Sequence, residues 1–178
     1  MAHLGLESIE KANRLKYIDI TKKMYKKAKP KEGIVTNQDF FEYEGKKYYI
    51  DGHNVVYNHN EREIEVAKLL NEIFGGNVKI LPNVNYPQGI ISPDYIYREE
   101  KLDLKRITSK RTNDCVKTAI RDGKRQAQNF IIDNTEQTVS DEAVLKQIDE
   151  IYNTGKFSWV NTIYVLKDKN FIKIFTRR

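Results

Sequence analysis

Two aspartates and a lysine, Asp94, Asp103 and Lys105, stand in the run Ser92-Pro93-Asp94-Tyr95-Ile96-Tyr97-Arg98-Glu99-Glu100-Lys101-Leu102-Asp103-Leu104-Lys105. Side chains along a strand alternate faces. Asp94, Ile96 and Arg98 therefore share one face of a first strand, and Lys101, Asp103 and Lys105 share one face of a second. With Glu99-Glu100 as the turn, Ile96 opposes Asp103 and Asp94 opposes Lys105. Diagonal neighbours in such a pair lie about 7–8 Å apart, so the two acids and the amine converge on one patch. That set suits a hard divalent cation, which is typically held by one or two carboxylates plus a substrate phosphate. The cation would lower the pKa of a bound water and neutralise charge at phosphorus. The lysine would orient that water or stabilise the developing negative charge. The competing explanation is a surface ion pair between Asp94 and Lys105, worth about 0–1 kcal/mol.

Neighbouring segments add candidates. Glu63 lies on the stripe Glu63, Ala67, Leu70 and Phe74, the apolar face of an expected helix. An acid on that face is costly unless it is paired or bound to a cation; the alternative is a first-turn acid facing the helix dipole. Glu61 and Glu65 fall off the stripe. Lys124 and Gln126 flank the apolar stripe Val116, Ile120, Gly123 and Ala127 of a later expected helix, from which they could reach the same site or a phosphate. His53 and His59 would be the acid and base of a metal-independent ribonuclease. Both follow turn signals without an acidic partner at useful spacing, which places them in loops. Phe40, Phe41, Tyr43, Tyr48 and Tyr49 could stack on bases, although packing of a small sheet explains them as well.

The elements that must position these residues are legible from pattern. Leu6, Ile9, Leu15, Ile18 and Met24 predict a helix over 6–28, ended by Lys29-Pro30-Lys31-Glu32-Gly33. Residues 40–43 and 47–50 predict a hairpin around Glu44-Gly45, followed by a short strand over 54–57. Asn60 is an N-cap for a helix reaching Phe74, stopped by Gly75-Gly76. Strands follow at 78–81, 94–98 and 101–107, then a helix over 112–128 and a strand over 130–133. A helix over 140–152 with Ser140 as N-cap and strands at 162–166 and 171–175 complete the chain. The order predicts a mixed α+β sheet built on an αβββαβ unit, preceded by an N-terminal helix and a hairpin. Residues 1–33 read as a basic helix with its linker, and residues 34–178 as the main domain.

Composition narrows the class. The 178 residues are 39% hydrophobic and 31% charged, enough for a core but with no run of about 18 apolar residues that a bilayer crossing needs. No apolar run of signal-peptide length occurs at Met1–Leu6. The single cysteine, Cys115, excludes an internal disulfide framework and a cysteine-based zinc site. These features predict a protein acting without a membrane partner in a reducing compartment. The net charge of +6 is uneven: residues 1–32 carry +5, residues 33–100 carry −5, residues 101–128 carry +6 and residues 129–178 are balanced. Basic blocks of this kind neutralise phosphates and point to nucleic acid.

Pro93-Asp94 … Asp103-Leu104-Lys105, the preceding helix with Glu63, and Lys124-Arg125-Gln126-Ala127-Gln128-Asn129-Phe130 together resemble the PD-(D/E)XK nuclease superfamily. More finely, the chain resembles the tRNA nuclease toxin domain at the C-terminus of CdiA contact-dependent growth inhibition proteins and its phage and mobile-element relatives. The resemblance spans roughly residues 38–176 and includes Asp51-Gly52, the stretch from Gly75 to Pro82 and Ser158-Trp159-Val160. It implies a restriction-endonuclease-like core and metal-dependent hydrolysis of tRNA by a toxin acting in the cytoplasm of a target bacterium. A cognate immunity protein is implied as partner. It assigns Glu63, Asp94 and Asp103 to the metal, Mg2+ or another divalent ion such as Mn2+ or Zn2+, and a lysine to the attacking water. Lys105 fits the superfamily pattern, whereas Lys124 fits a variant with a helix-borne lysine. Two other readings stay open: a DNA endonuclease of restriction or junction-resolving type, and a non-catalytic basic nucleic-acid-binding module. The last gains if Asp94 and Asp103 point to opposite faces.

Overall fold

A computed structural model describes residues 15–108 and 113–178. The strands in chain order are β1 (Tyr17–Asp19), β2 (Val35–Asn37), β3 (Phe40–Tyr43), β4 (Lys46–Tyr49), β5 (Val55–Val56), β6 (Val78–Ile80), β7 (Asn83–Val84), β8 (Tyr95–Tyr97), β9 (Glu100–Arg106), β10 (Asn129–Asp133), β11 (Thr162–Lys167) and β12 (Asn170–Arg177). The helices are α1 (Thr21–Lys26), α2 (Glu61–Phe74), α3 (Cys115–Asp122) and α4 (Asp141–Asn153). Eight strands form one mixed sheet in the order β1-β12-β11-β10-β9-β8-β6-β2, and two ribbons, β3-β4 and β5-β7, stand beside it. This is the mixed α/β architecture expected from the pattern. The order α2-β6-β8-β9-α3-β10 runs through its centre, with β6, β8 and β9 as an antiparallel meander and β10 returning parallel to β9.

Three apolar clusters hold the layers together. α2 lays Val66, Leu70 and Phe74 on one face of the sheet, against Tyr95, Tyr97, Leu102 and Leu104. α3 and α4 cover the other face, where Val116, Ile120, Val144 and Ile148 meet Phe130, Ile132, Ile163 and Val165. Every residue of β10 is buried, as befits a central strand parallel to both neighbours. The ribbons have their own core of Phe41, Val55, Leu81 and Val84, against which Ile96 packs. No helix among the described residues is long and apolar enough to cross a membrane.

Helix ends follow their sequence signals. Asn60 and Glu63 form a reciprocal capping box at the start of α2. Gly75 ends α2 at φ 73°, and a Cβ there would lie 1.9 Å from the Lys29 carbonyl oxygen, so no other residue fits the close approach. Ser140 Oγ accepts from Ala143 N at the start of α4.

Three expectations are corrected. Within the stretch read as a helix over 6–28, residues 17–19 are the strand β1 and only Thr21–Lys26 are helical; residues 6–14 lie outside the described residues. Pairing of Tyr17–Asp19 with Phe175–Arg177 and stacking of Tyr17 on Tyr152, centroids 4.7 Å apart, override the helical spacing. The helix expected over 112–128 is confined to Cys115–Asp122, because the chain turns at Gly123; residue 112 lies outside the described residues. Finally, the loop between β8 and β9 is Arg98-Glu99, not Glu99-Glu100. Both residues take left-handed φ values, 51° and 66°, as a tight two-residue hairpin requires.

A buried ion pair ties α2 to the sheet. Arg62 Nε donates to Asp133 Oδ2 at 2.7 Å, with side-chain exposures of 14% and 2%. Arg62 also reaches Glu65, Thr135 and the Asp168 carbonyl. Burial alone would raise the Asp133 pKa, but hydrogen bonds from Arg62 and Thr135 outweigh it and hold the carboxyl below its usual range. A depressed carboxylate pKa contributes stability above the unfolded value near 3.9 that is lost as pH falls. Asp133→Asn leaves Arg62 charged and short of its partner. It is expected to cost about 3–5 kcal/mol, read as a lower urea midpoint at pH 7, with the deficit shrinking on acidification through the carboxylate range.

Candidate active site

The corrected hairpin register decides the site. Ile96 pairs with Lys101 and Tyr95 with Leu102, so the next position places Asp94 opposite Asp103 rather than Lys105. The two acids thus face each other on the α3 side of the sheet, and the opposite-face arrangement that would favour a non-catalytic module is not what the structure shows. The backbone ties them together: Asp94 N donates to Asp103 Oδ1 at 3.2 Å, and Leu104 N donates to Asp94 Oδ2 at 2.8 Å.

Asp103 is 1% exposed. Lys105 Nζ lies 2.7 Å from its buried Oδ2, without the angle of a good hydrogen bond. Lys105 Nζ also donates to Gln126 Oε1 at 2.7 Å, and Gln126 Nε2 reaches the Ser92 carbonyl at 3.4 Å. The Lys105 stem threads past Gly123, where a Cβ would sit 2.9 Å from Lys105 Cε and 2.6 Å from the Phe130 ring.

On the other side of Asp94 stand His59 and Glu63, at the start of α2. One ligand atom from each of His59, Glu63 and Asp94 lies within 4.8 Å of the others. Glu63 Oε2 meets His59 Nδ1 at 3.0 Å and accepts from Asn60 N at 3.0 Å. Glu63 thus completes the cap of its helix and stands with His59 near Asp94. His59 Nε2 meets the Leu81 carbonyl at 2.5 Å. Both ring nitrogens thus face acceptors. Burial pulls its pKa down, but Glu63, the Leu81 carbonyl and Asp94 together hold it above the ordinary histidine value.

The carboxyl pair is strongly perturbed. Burial first, and the Asp103 charge second, push the Asp94 pKa up to about 8. Burial also raises Asp103, opposed by Lys105. Lys105 stands beside Asp103, so the surroundings favour the charged form more at Asp103 than at Asp94. Buried carboxyls set against each other in this way are what a divalent cation relieves. Carboxylate oxygens suit Mg2+ or Mn2+, and an imidazole at the rim suits Mn2+ or Zn2+.

Of the six residues singled out in the sequence, the structure gathers Glu63, Asp94, Asp103, Lys105 and Gln126. Lys124 stands apart: it is exposed in the turn after α3, with Nζ 6.0 Å from the centre of the Trp159 ring. Sequence reasoning set His59 aside for want of an acid, which is corrected here by its contact with Glu63. The spacing of four residues was the available signal, obscured because His59 precedes the cap at Asn60. His53 is exposed in an Asp51-centred turn, as expected of a loop residue. His3 lies outside the described residues.

The family model of the contact-dependent growth inhibition CdiA C-terminal domain matches residues 92–171. The matched stretch carries Asp94, Asp103, Lys105 and Gln126, and it supports the CdiA C-terminal toxin family as the one this chain resembles. Glu63 and His59 lie N-terminal to it. Comparison with curated proteins and with solved structures gives no match.

Gly123 is required by the close passage of Lys105 and Phe130. Gly123→Ala is expected to lower stability by about 1–3 kcal/mol through overpacking, measured as a shift in the urea midpoint. An unchanged midpoint would show that Phe130 and the Lys105 stem yield freely.

Proposed function

We propose that this chain is a divalent-metal-dependent endoribonuclease toxin domain that hydrolyses phosphodiester bonds of tRNA. The observation that carries the reading is the placement of Asp94 against Asp103, with Lys105 on one side and Glu63 with His59 on the other. The match to CdiA C-terminal domains supports the toxin role. The central α2-β6-β8-β9-α3-β10 order supports a core of the PD-(D/E)XK kind.

Glu63, Asp94 and Asp103 would hold the cation, Mg2+ or a related divalent ion, which supplies charge neutralisation at phosphorus and a more acidic water. His59 fixes the Glu63 carboxylate by its Nδ1–H, so the helix acid presents a defined oxygen. Asp103 and Gln126 hold Lys105 Nζ from two sides. The ammonium is thereby kept beside Asp103, where it would orient the attacking water and stabilise negative charge gathering on the phosphoryl oxygens. Asp94 stands between the two halves. A cognate immunity protein would silence the domain in the producing cell, and its action would follow delivery into the cytoplasm of a target bacterium.

Purified protein incubated with total tRNA and Mg2+ is expected to cleave it, and EDTA, Asp94→Ala and Asp103→Ala each to abolish cleavage. Undiminished cleavage by both variants, or cleavage only of duplex or branched DNA run in parallel, overturns the reading.

The two lysines should separate kinetically. Lys105→Met is expected to lower kcat by about 10²–10³-fold, as for loss of one charge-stabilising donor. Lys124→Gln is expected to act chiefly on KM. The reverse pattern in single-turnover and steady-state assays would make Lys124 the catalytic lysine.

A further inference from the structure

The +6 block over residues 101–128 is not one uniform basic surface. Arg106 pairs with Glu136, Lys117 with Asp114 and Glu150, and Lys105 with Asp103. These cations are answered within the fold. Lys101, Lys124 and Arg125 form no ion pair among the described residues. Lys101 Nζ lies 5.6 Å from the Phe41 ring centre, Lys124 Nζ packs near Trp159, and Arg125 Nη2 donates to the Gly89 carbonyl. All three are exposed and line a single cavity of about 370 Å³.

The one acid on its wall is Glu100, whose Oε2 is engaged by Asn129 Nδ2 at 3.0 Å. The cavity therefore carries an excess of two positive charges, and the buried Asn129 forms part of its lining. It also adjoins the candidate active site. Lys101 stands two residues before Asp103 on the same face of β9, a separation of about 6.8 Å along the strand. Gln126 forms part of the cavity wall while its Oε1 holds Lys105 Nζ.

We infer that this cavity is a subsite for the backbone phosphate of the RNA strand next to the bond being cut, read by Lys101, Lys124 and Arg125. The inference rests on the phosphodiesterase reading of the neighbouring acids. Compact cations without carboxylate partners bind phosphate and release counterions, with no preference for base identity. The offset along β9 sets a second anion beside the scissile one, on the Lys101 side of Asp103. Gln126, shared by the two sites, sets the subsite directly beside Lys105. The subsite would thus bind the strand and align it, while the chemistry stays with the acids.

The test uses Lys101→Gln/Arg125→Gln in the full chain, neither residue belonging to the acid and lysine set. Binding to tRNA is measured in EDTA, where cleavage is not needed, by anisotropy across a salt series. Two lost phosphate contacts on a single strand predict a log–log salt slope reduced by about 1.4. In Mg2+, KM should rise about tenfold or more with kcat held within about threefold. A salt slope and KM equal to the parent protein's overturn the subsite, as does a fall in kcat alone. Unchanged urea midpoints confirm that the variant is folded. If the parent binds tRNA with the steeper slope but never cleaves it, the hydrolytic reading fails while the phosphate subsite stands.

Discussion

The close packing of two carboxyl groups across the β8–β9 hairpin is the constraint to which the rest of the molecule answers. Two buried acids side by side are costly unless a proton, a cation or hydrogen bonds compensate them. Here the compensation is divided. Backbone N–H groups of Asp94 and Leu104 hold one oxygen of each acid. Lys105 answers the charge of Asp103, and His59 with Glu63 closes the other end. Each of these partners is delivered by a different element, so the tight loop at Arg98-Glu99, a helix cap at Asn60 and a glycine at the end of α3 all serve one electrostatic arrangement.

The layers on either side of the sheet have separate duties. The face bearing Tyr95, Tyr97, Leu102 and Leu104 is apolar and is covered by α2. The alternate residues, Asp94, Ile96, Lys101, Asp103 and Lys105, face the opposite way. There the ribbons pack on Ile96, and the turn after α3 brings Gln126 to Lys105. Strand alternation thus lets one short hairpin supply both a core and a polar cleft. The Arg62–Asp133 pair adds a fixed point between the first turn of α2 and β10, so the acid contributed by the helix keeps its distance from those contributed by the strands.

Much of this was legible in the sequence wherever the signal was local. Asn60 announces a helix N-cap, Gly75-Gly76 a stop, and the alternation around Asp94 and Asp103 a hairpin carrying acids. What escaped was set by distant partners. Tyr17–Asp19 carries a helical pattern yet pairs with the last strand, since the exposed edge of β12 offers more than an isolated helix of that length can. The turn at Arg98-Glu99 has no residue with a special preference for left-handed backbone, so its register could not be read from the turn chemistry and follows from sheet pairing instead. His59 precedes its helix cap, so helical spacing gave no reason to link it to Glu63.

The acids also differ in how far apart they lie along the chain, and this bears on the order in which the cleft can come together. Asp94 and Asp103 belong to one hairpin, whose closure is a local event on the microsecond scale. Glu63 and His59 arrive only when α2 docks, and the sheet beneath them depends on β10 joining β9 in parallel through a crossover. The strand half of the centre is therefore a short-range structure and the helix half a long-range one, so a partly folded chain would carry the first without the second.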